Sequence, residues 1–259
     1  MCSSEFTKMF AERNEMDCSE SNNDNMCKTS LLGNLLADTA TGHTLSVPLP
    51  ERSRDKHNVT VRLSDASLDQ LNSKLAVWLI RAVQFTKSLP VFSKLNTHDQ
   101  LVLLNSSWKE LVMLYMAEEH MEFSVEENEP SENSTAYQLF SEGHPTLKSV
   151  EQFRFALQRC SNMNPDLKEF AYLRKVAVLN SEVRGLHDVA AVEEACEATQ
   201  TSLMEYLSVR YPHNQLRLSH VLLLLPSVRG YPAKIFENLF YKHLIGDTTI
   251  DSILLELLQ

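Results

Sequence analysis

Four glutamates are the residues whose type and spacing come closest to an acid–base site. Glu118 and Glu119 are adjacent, Glu126 and Glu127 follow in a short acidic stretch, and nine histidines are present in the chain. General acid–base catalysis needs a side chain positioned to give or take a proton. These four lie in or near a segment typical of a solvated loop, and no Ser-His-Asp, HExxH or cysteine-nucleophile pattern accompanies them. The sequence therefore predicts that the chain is not an enzyme.

The cysteines and glycines argue against two further kinds of site. The five cysteines form no CxxC pair and have no zinc-finger spacing, and their odd number favours reduced thiols over a disulfide framework. The chain has six glycines and no glycine-rich loop of the kind that cradles phosphates. We therefore expect no metal ligand set and no nucleotide cofactor.

Charge and hydropathy limit the classes of partner that the chain is expected to bind. The formal net charge is −10, which opposes direct binding to a nucleic-acid backbone. No apolar run reaches the roughly 18 residues of a membrane-spanning helix, so no membrane contact is expected. The chain has 259 residues, of which 43% are hydrophobic, which suits one globular domain with a tail. We predict a disordered tail over residues 1–28 and the domain over 29–259.

Two helices joined at a corner organise the domain, over residues 68–115. Apolar residues spaced by three and four predict the first helix, which Pro90 ends. The second begins near Thr97, with Asp99 in its first turn, and is then apolar on nearly every face. A helix of that composition is buried in the middle of a domain. Lys87 lies at the corner.

The rest of the chain is predicted to be almost wholly helical, which makes the fold class all-α. Further helices are expected at residues 147–160, 166–179, 190–211 and 214–244, the last of them interrupted at Pro226 and Pro232. A final amphipathic helix follows Gly246, capped by Thr248 or Thr249. Residues 121–147 are acidic and polar, with a short extended or hairpin segment expected around Phe123 and Tyr137.

The motif F-T-K-x-x-P-x-F-x-x-L-x-x-x-D-Q-x-x-L-L, at residues 85–104, resembles the signature of nuclear receptor ligand-binding domains. WKEL at residues 108–111 matches the start of that family's central helix, and residues 169–186 match its helices eight and nine. LPSVRG followed by LFYKHLIGDTTIDSILLELL is most similar to the retinoid X receptor and testicular orphan receptor subfamily. The resemblance covers residues 29–259. It implies a three-layer antiparallel helical sandwich with a small β-turn segment, in a transcription factor of the nucleus.

The last helix has two apolar pairs that bracket Glu256, which is the form of the family's activation helix. The resemblance implies that this helix and a groove on helices three and four recruit co-regulators that carry an LxxLL helix. A carboxylate at one edge would hold the N–H groups of that helix, and a lysine at the other edge its C-terminal carbonyls. By motif position these are Glu256 and Lys87. The other expected groove residues are Ile80, Val83, Gln100, Leu101, Leu104 and Asn105.

Two segments of the chain themselves read LxxLL. Residues 32–36 are expected to be the family's first helix, packed in the core, or a mimic that docks on a neighbouring groove. Residues 254–258 have the same spacing. The last helix is therefore also able to dock in the chain's own groove in an inactive state.

The resemblance also implies a ligand cavity between helix three, helix five and the helix before the activation helix. Glu119 stands where acid-binding retinoid receptors have an arginine, so an acidic ligand would be repelled. Trp78 replaces a smaller polar residue and can fill the space. We favour a pocket packed shut in a ligand-independent orphan receptor; a neutral or basic lipophilic ligand is the alternative. The expected lining is Leu75, Trp78, Leu79, Ala82, Val112, Met116, Glu119, Ile235, Asn238 and Leu239.

The long C-terminal helix forms the dimer face in this family, which implies a homodimer or a heterodimer with another nuclear receptor. Trp108 and Glu110 match the pattern of receptors that homodimerise or act as a common partner. DNA contact would require a zinc-finger domain that is absent from this chain. A helical adaptor that is not a receptor remains a further alternative. The residues that motif position places on the dimer face are Leu222, Leu225, Pro226, Arg229, Tyr231 and Glu237.

Overall fold

The computed structural model describes residues 60–63, 68–123, 125–128 and 145–259. The predicted tail over residues 1–28, the LxxLL segment at residues 32–36 and Tyr137 lie outside the described residues.

The predicted corner is present. Helix α1 (Leu68–Lys87) is followed by a 3-10 turn (Phe92–Lys94) and then by helix α2 (Thr97–Glu118). The side chain of Asn96 caps α2 by accepting a hydrogen bond of 2.9 Å from the backbone N–H of Asp99. Residues 107–117 of α2 are buried without interruption, as expected for a helix that is apolar on nearly every face.

Eight further helical segments follow in the described part of the chain. They are α3 (Leu147–Met163), α4 (Leu167–Val178), α5 (Val189–Arg210), α6 (Arg217–Leu222), α7 (Leu224–Arg229), α8 (Ala233–Phe236), α9 (Lys242–Ile245) and α10 (Ile250–Leu258), with a π-helical turn (Glu237–Tyr241) between α8 and α9.

Prolines and caps set several of these boundaries. Pro226 lies in the first turn of α7 and Pro232 directly precedes α8, so the predicted long helix is divided near both prolines. Thr249 caps α10 by accepting a hydrogen bond from the N–H of Ser252. Gly246, with φ at +61°, makes the turn between α9 and α10, in a conformation that favours glycine.

The helices form a three-layer antiparallel sandwich with α2 at its centre. Helix α1 packs on α2 as one outer layer. Helices α4 and α5 extend the middle layer, and α3 and α7 pack together on the other side. Helix α10 packs against both α1 and α2. Among the described helices, none has the length and apolar character needed to cross a membrane.

A two-stranded antiparallel sheet supplies the extended segment. Strand β2 (Val125–Asn128) begins just after Phe123, near its predicted place. Its partner is β1 (Thr60–Leu63), with Leu63 opposite Val125. Of the two predicted forms, an extended segment or a hairpin, the extended one is present, and its partner among the described residues comes from before α1. Strand β1 has only four residues and lies within a charged connection, so alternation of apolar and polar residues could not predict it.

A buried ion pair ties α4 to α6. The Arg217 guanidinium binds both carboxylate oxygens of Glu169, at 2.6 and 2.7 Å, and the Glu169 side chain is completely buried. Arg217 also donates to the backbone carbonyls of Met163 and Asn164 at the end of α3. One side chain therefore joins three helices.

We expect Arg217→Ala to lower the free energy of unfolding by about 3 kcal/mol, because it leaves the Glu169 carboxylate buried without a countercharge. Arg210→Ala is the matched control: Arg210 is exposed and stacks on Tyr211, so its loss should cost less than about 0.5 kcal/mol. Urea unfolding followed by circular dichroism at neutral pH measures both. Equal effects of the two substitutions would contradict the assignment.

Candidate co-regulator groove

Lys87, in the last turn of α1, binds the end of the chain's own last helix. Its Nζ donates hydrogen bonds to the backbone carbonyls of Leu258, at 3.1 Å, and Leu257, at 3.4 Å. The last carbonyls of a helix have no partner within it, and they form the negative end of the helix dipole. A lysine is therefore a suitable cap for them. The resemblance implies this role of Lys87 toward the helix of a partner; here its occupant is the chain's own last helix, the self-docking that the LxxLL spacing of residues 254–258 allows.

The apolar face of α10 is turned into the domain. Leu254 is completely buried, Ile250 and Ile253 are nearly so, and Leu257 and Leu258 are half-buried. All five belong to or pack against the hydrophobic cluster that includes Val83 and Leu104, two of the predicted groove residues. Helix α10 packs on α1 and α2, the helices that carry the predicted groove residues, so we infer that the three leucines of the LxxLL spacing, 254, 257 and 258, lie in the groove. Lys87 caps the same helix.

Glu256 lies on the outer face of α10. It is exposed, and it has no ion pair or hydrogen bond with any residue that the structure describes. Glu256 directly precedes the two residues whose carbonyls Lys87 binds, so both charges lie near the same end of a single helix. A clamp on a partner helix needs the two charges at opposite ends. In this conformation, therefore, the predicted clamp is not assembled.

The remaining groove residues divide by burial. Val83 and Leu104 are buried, whereas Ile80, Gln100, Leu101 and Asn105 are half-buried. Gln100 Nε2 donates to the carbonyls of Phe92, at 2.9 Å, and Leu95, at 3.1 Å, so its amide holds the corner in place. Asn105 Oδ1 is shielded from solvent and has no hydrogen-bond partner among the described atoms.

Asp99 anchors the start of α2 to the loop before α5, a role that its first-turn position in α2 did not reveal. Its buried carboxylate accepts hydrogen bonds from the backbone N–H groups of His187, at 2.8 Å, and Asp188, at 3.0 Å. Burial alone would raise its pKa, but these bonds and that from Asn96 hold the pKa below its usual range. A carboxyl with a lowered pKa stabilises the folded state above its ordinary pKa, and this contribution is lost as the pH falls through the acid range.

Nine of the ten predicted pocket residues lie in the interior or at its edge. Leu75, Leu79, Ala82, Val112 and Met116 are fully buried, Trp78 and Leu239 are nearly so, and Ile235 and Asn238 are half-buried. Burial of this kind suits a lining, and it equally suits an ordinary core.

Glu119 is the exception. It caps the end of α2, is largely exposed, and pairs with Arg81 at 2.7 Å. Glu118 pairs instead with the buried Arg174. The guanidinium groups of Arg81 and Arg174 each lie 4.3 Å from the centre of the Tyr115 ring. This position differs from the expected carboxylate facing a pocket, because the arginine on α1 draws Glu119 to the surface and balances its charge.

An aromatic cluster fills the space beside the predicted pocket. Its neighbouring ring centres are 4.9 to 6.4 Å apart, a spacing typical of packed aromatic pairs. Tyr241 lies fully buried within it and donates a hydrogen bond of 3.0 Å to the carbonyl of Leu75 on α1. The sequence reading did not identify this cluster, because its members are scattered over four segments. They are Trp108, Phe123, Phe153, Tyr231, Phe236, Phe240 and Tyr241.

The predicted dimer face is only partly exposed. Pro226 and Arg229 are exposed and Leu222 is half-buried, whereas Leu225, Tyr231 and Glu237 are buried. Arg229 pairs with Glu110 on α2, and Lys109 donates hydrogen bonds to the carbonyls of Arg229 and Tyr231. These contacts hold the turn between α7 and α8 against α2. Leu223, which was not among the predicted residues, is the exposed leucine of this stretch.

We expect Lys87→Ala to loosen α10, because the carbonyls of its last turn lose their cap. Two such hydrogen bonds at an exposed site contribute about 1 kcal/mol, which corresponds to a roughly fivefold faster amide exchange in α10. Lys94→Ala, which changes an exposed lysine in the nearby 3-10 turn, is the control and should leave that exchange unchanged. Hydrogen–deuterium exchange of residues 250–258 decides, and identical protection in the wild type and Lys87→Ala would contradict the capping role.

Comparison with known proteins gives a consistent family. A family model described as the ligand-binding domain of nuclear hormone receptor matches residues 58–245. Nuclear receptor subfamily 2 group F member 5 of Danio rerio is 31% identical over 70% of this chain and 45% of its own length. Group F member 6 of Mus musculus is 28% identical over 74% of this chain and 49% of its own length. Steroid receptor seven-up, isoforms B/C, of Drosophila melanogaster is 27% identical over 74% of this chain and 35% of its own length.

The fold is likewise that of a solved structure. The ultraspiracle ligand-binding domain from Drosophila melanogaster superposes with a TM-score of 0.56 at 20% identity, covering 80% of this chain and 91% of that one. The all-α sandwich and the resemblance to nuclear receptor ligand-binding domains are thus confirmed, and the curated relatives are consistent with the predicted subfamily. This chain spans at most about half the length of the curated relatives cited. It belongs to the ligand-binding domains of nuclear hormone receptors, a family of transcription factors and not of enzymes.

Proposed function

We propose that this domain regulates transcription by recruiting LxxLL co-regulators, and that its own last helix closes the groove until a partner displaces it. One observation carries the proposal: Lys87 binds the carbonyls of Leu257 and Leu258, the contact that a clamp lysine would make with a bound co-regulator. The leucines at 254, 257 and 258 supply the matching apolar side chains.

Closure by α10 is an equilibrium that a partner can shift. Helix α10 has nine residues, which is too short to be stable alone, so it depends on the groove for its structure. Leu257 and Leu258 are only half-buried and the lysine contact is exposed, so these contacts stabilise the docked state only moderately. A co-regulator displaces α10 only to the extent that it binds the open domain better than α10 does.

Release of α10 from the groove would allow Glu256 to act as the predicted clamp carboxylate. While α10 lies in the groove, Glu256 is exposed and has no partner among the described residues. In a second docked position, α10 could place Glu256 at the N-terminal edge of a partner helix while Lys87 holds its C-terminal edge. Each charged contact would contribute about 1–3 kcal/mol to binding.

The interior favours a receptor that works without a ligand. Trp78, at a predicted lining position, is buried, and the aromatic cluster fills the adjoining interior, which supports a packed pocket. Because Arg81 balances the charge of Glu119, Glu119 is not a barrier to an acidic ligand. A neutral lipophilic ligand remains the second candidate, supported by the predominantly apolar predicted lining.

The wider roles belong to the whole receptor. By analogy with the relatives, we propose that the receptor acts in the nucleus, contacts DNA through a separate zinc-finger domain and dimerises with itself or another nuclear receptor. The exposed Leu223 and Pro226, between and within α6 and α7, support that stretch as the dimer surface.

We expect a peptide of residues 249–259 and a co-regulator LxxLL peptide to compete for one site on the chain truncated after Thr248. Both would use the same apolar groove and Lys87, so Lys87→Ala should weaken each of them roughly fivefold, while Lys94→Ala weakens neither. Fluorescence anisotropy with one labelled peptide measures the competition, after circular dichroism has verified the truncated fold.

Two peptide variants sharpen that experiment. Leu254→Ala removes the fully buried leucine and should abolish competition, whereas Glu256→Gln alters an exposed side chain and should compete as well as the native peptide. Simultaneous binding of the two peptides would refute self-closure. Loss of α10-peptide binding with retention of LxxLL binding would leave a receptor without self-closure.

We expect native mass spectrometry of the purified domain to show the mass of the protein alone. Trp78→Ala should instead retain a neutral long-chain alcohol, because a large buried side chain has been replaced by an apolar cavity. A lipophile retained by the wild-type domain would contradict the packed pocket and support the second candidate.

A further inference from the structure

Two histidines that are far apart in sequence stack against each other near the start of α2. His98 lies in the first turn of α2 and His187 in the loop before α5, and their ring centres are 4.5 Å apart with planes inclined by 24°. Beside them lies the carboxylate of Asp99. One possible ligand atom from each of the three residues lies within 4.8 Å of the other two.

An oxygen atom lies within reach of one nitrogen of each imidazole. His98 Nε2 donates a hydrogen bond of 3.0 Å to the carbonyl of Gly185, which a φ of +90° turns toward α2. His187 Nδ1 lies 3.5 Å from Asp99 Oδ1. In His98 this leaves Nδ1 with its lone pair, the arrangement of many metal-binding histidines, in which an oxygen orients one nitrogen and the other binds the ion. In His187 the nitrogen that faces the Asp99 carboxylate is Nδ1 itself, so it is the candidate ligand atom of that ring.

The carboxylate is the fixed member of the group. Asp99 Oδ2 accepts hydrogen bonds from Asn96 and from the N–H of Asp188, whereas Oδ1 accepts one, from the N–H of His187. Oδ1 therefore keeps acceptor capacity on the side that faces the His187 ring. The Asp99 side chain has no exposed surface, while that of His187 is 69% exposed. An ion from solution can reach the histidines without any opening of the fold.

We propose that His98, His187 and Asp99 form a binding site for a zinc ion. Two imidazoles and one carboxylate are a ligand set that Zn²⁺ accepts, with water in the remaining position, and that Mg²⁺ and Ca²⁺ accept poorly. The exposed rings must turn out of their stack for their lone pairs to converge, and their exposure permits that movement. The bound ion cross-links the start of α2 to the loop before α5, the two segments that the hydrogen bonds of Asp99 already join.

Zinc titration of the EDTA-treated full chain by calorimetry tests the site. We expect one equivalent to bind, and His98→Ala and His187→Ala each to weaken that binding by at least about tenfold. His220→Ala, which removes an exposed histidine elsewhere, is the matched control and should bind zinc as the wild type does. Circular dichroism verifies the fold of each variant, and Mg²⁺ should not compete.

Cobalt, as a spectroscopic substitute for zinc, distinguishes this site from the five cysteines. Binding by imidazole and carboxylate alone gives no thiolate-to-cobalt charge-transfer band, so the wild type should show cobalt absorption without it. The proposal fails if the full chain binds no zinc, if both histidine variants bind as tightly as the wild type, or if the bound cobalt shows the thiolate band.

Discussion

The contact between the Lys87 ammonium and the last carbonyls of α10 determines what this surface presents to a partner. A helix end leaves carbonyls unpaired, and a cation is a favourable partner for them whether the helix belongs to this chain or to another protein. The same lysine and the same apolar wall therefore serve two possible occupants. Because the last helix repeats the LxxLL spacing, closure needs no additional surface, and the inactive state can resemble the active complex.

That contact depends on the rigidity of the corner between α1 and α2. The 3-10 turn positions Lys87 relative to α2, and Gln100 fastens that turn through two backbone carbonyls. Asp99 then anchors the start of α2 to the loop before α5. The polar groups of the corner are thus used mostly within the chain, and what remains for a partner is an apolar groove with a cation at its edge.

The helices and their order could be predicted from the sequence because their signals are local. Apolar spacing predicted α1 and α2, Thr249 marked a helix start, and Pro226 and Pro232 marked interruptions. Contacts between distant segments carry no such signal. Neither the aromatic cluster nor the pairing of β1 with β2 can be derived from spacing along the chain. Glu119 shows the same limit: its motif position indicated a pocket, but Arg81 on another helix determines where its carboxylate lies.

Methyl NMR of the domain, with and without a saturating LxxLL peptide, tests self-closure most directly. Helix α10 packs against α1 and α2, and its buried Leu254 lies in the cluster that contains Val83 and Leu104. Self-closure predicts nuclear Overhauser contacts from the methyl groups of Leu254 and Leu258 to those of the groove in the free domain, and their loss when the peptide binds. Contacts that persist unchanged in the peptide complex would contradict it.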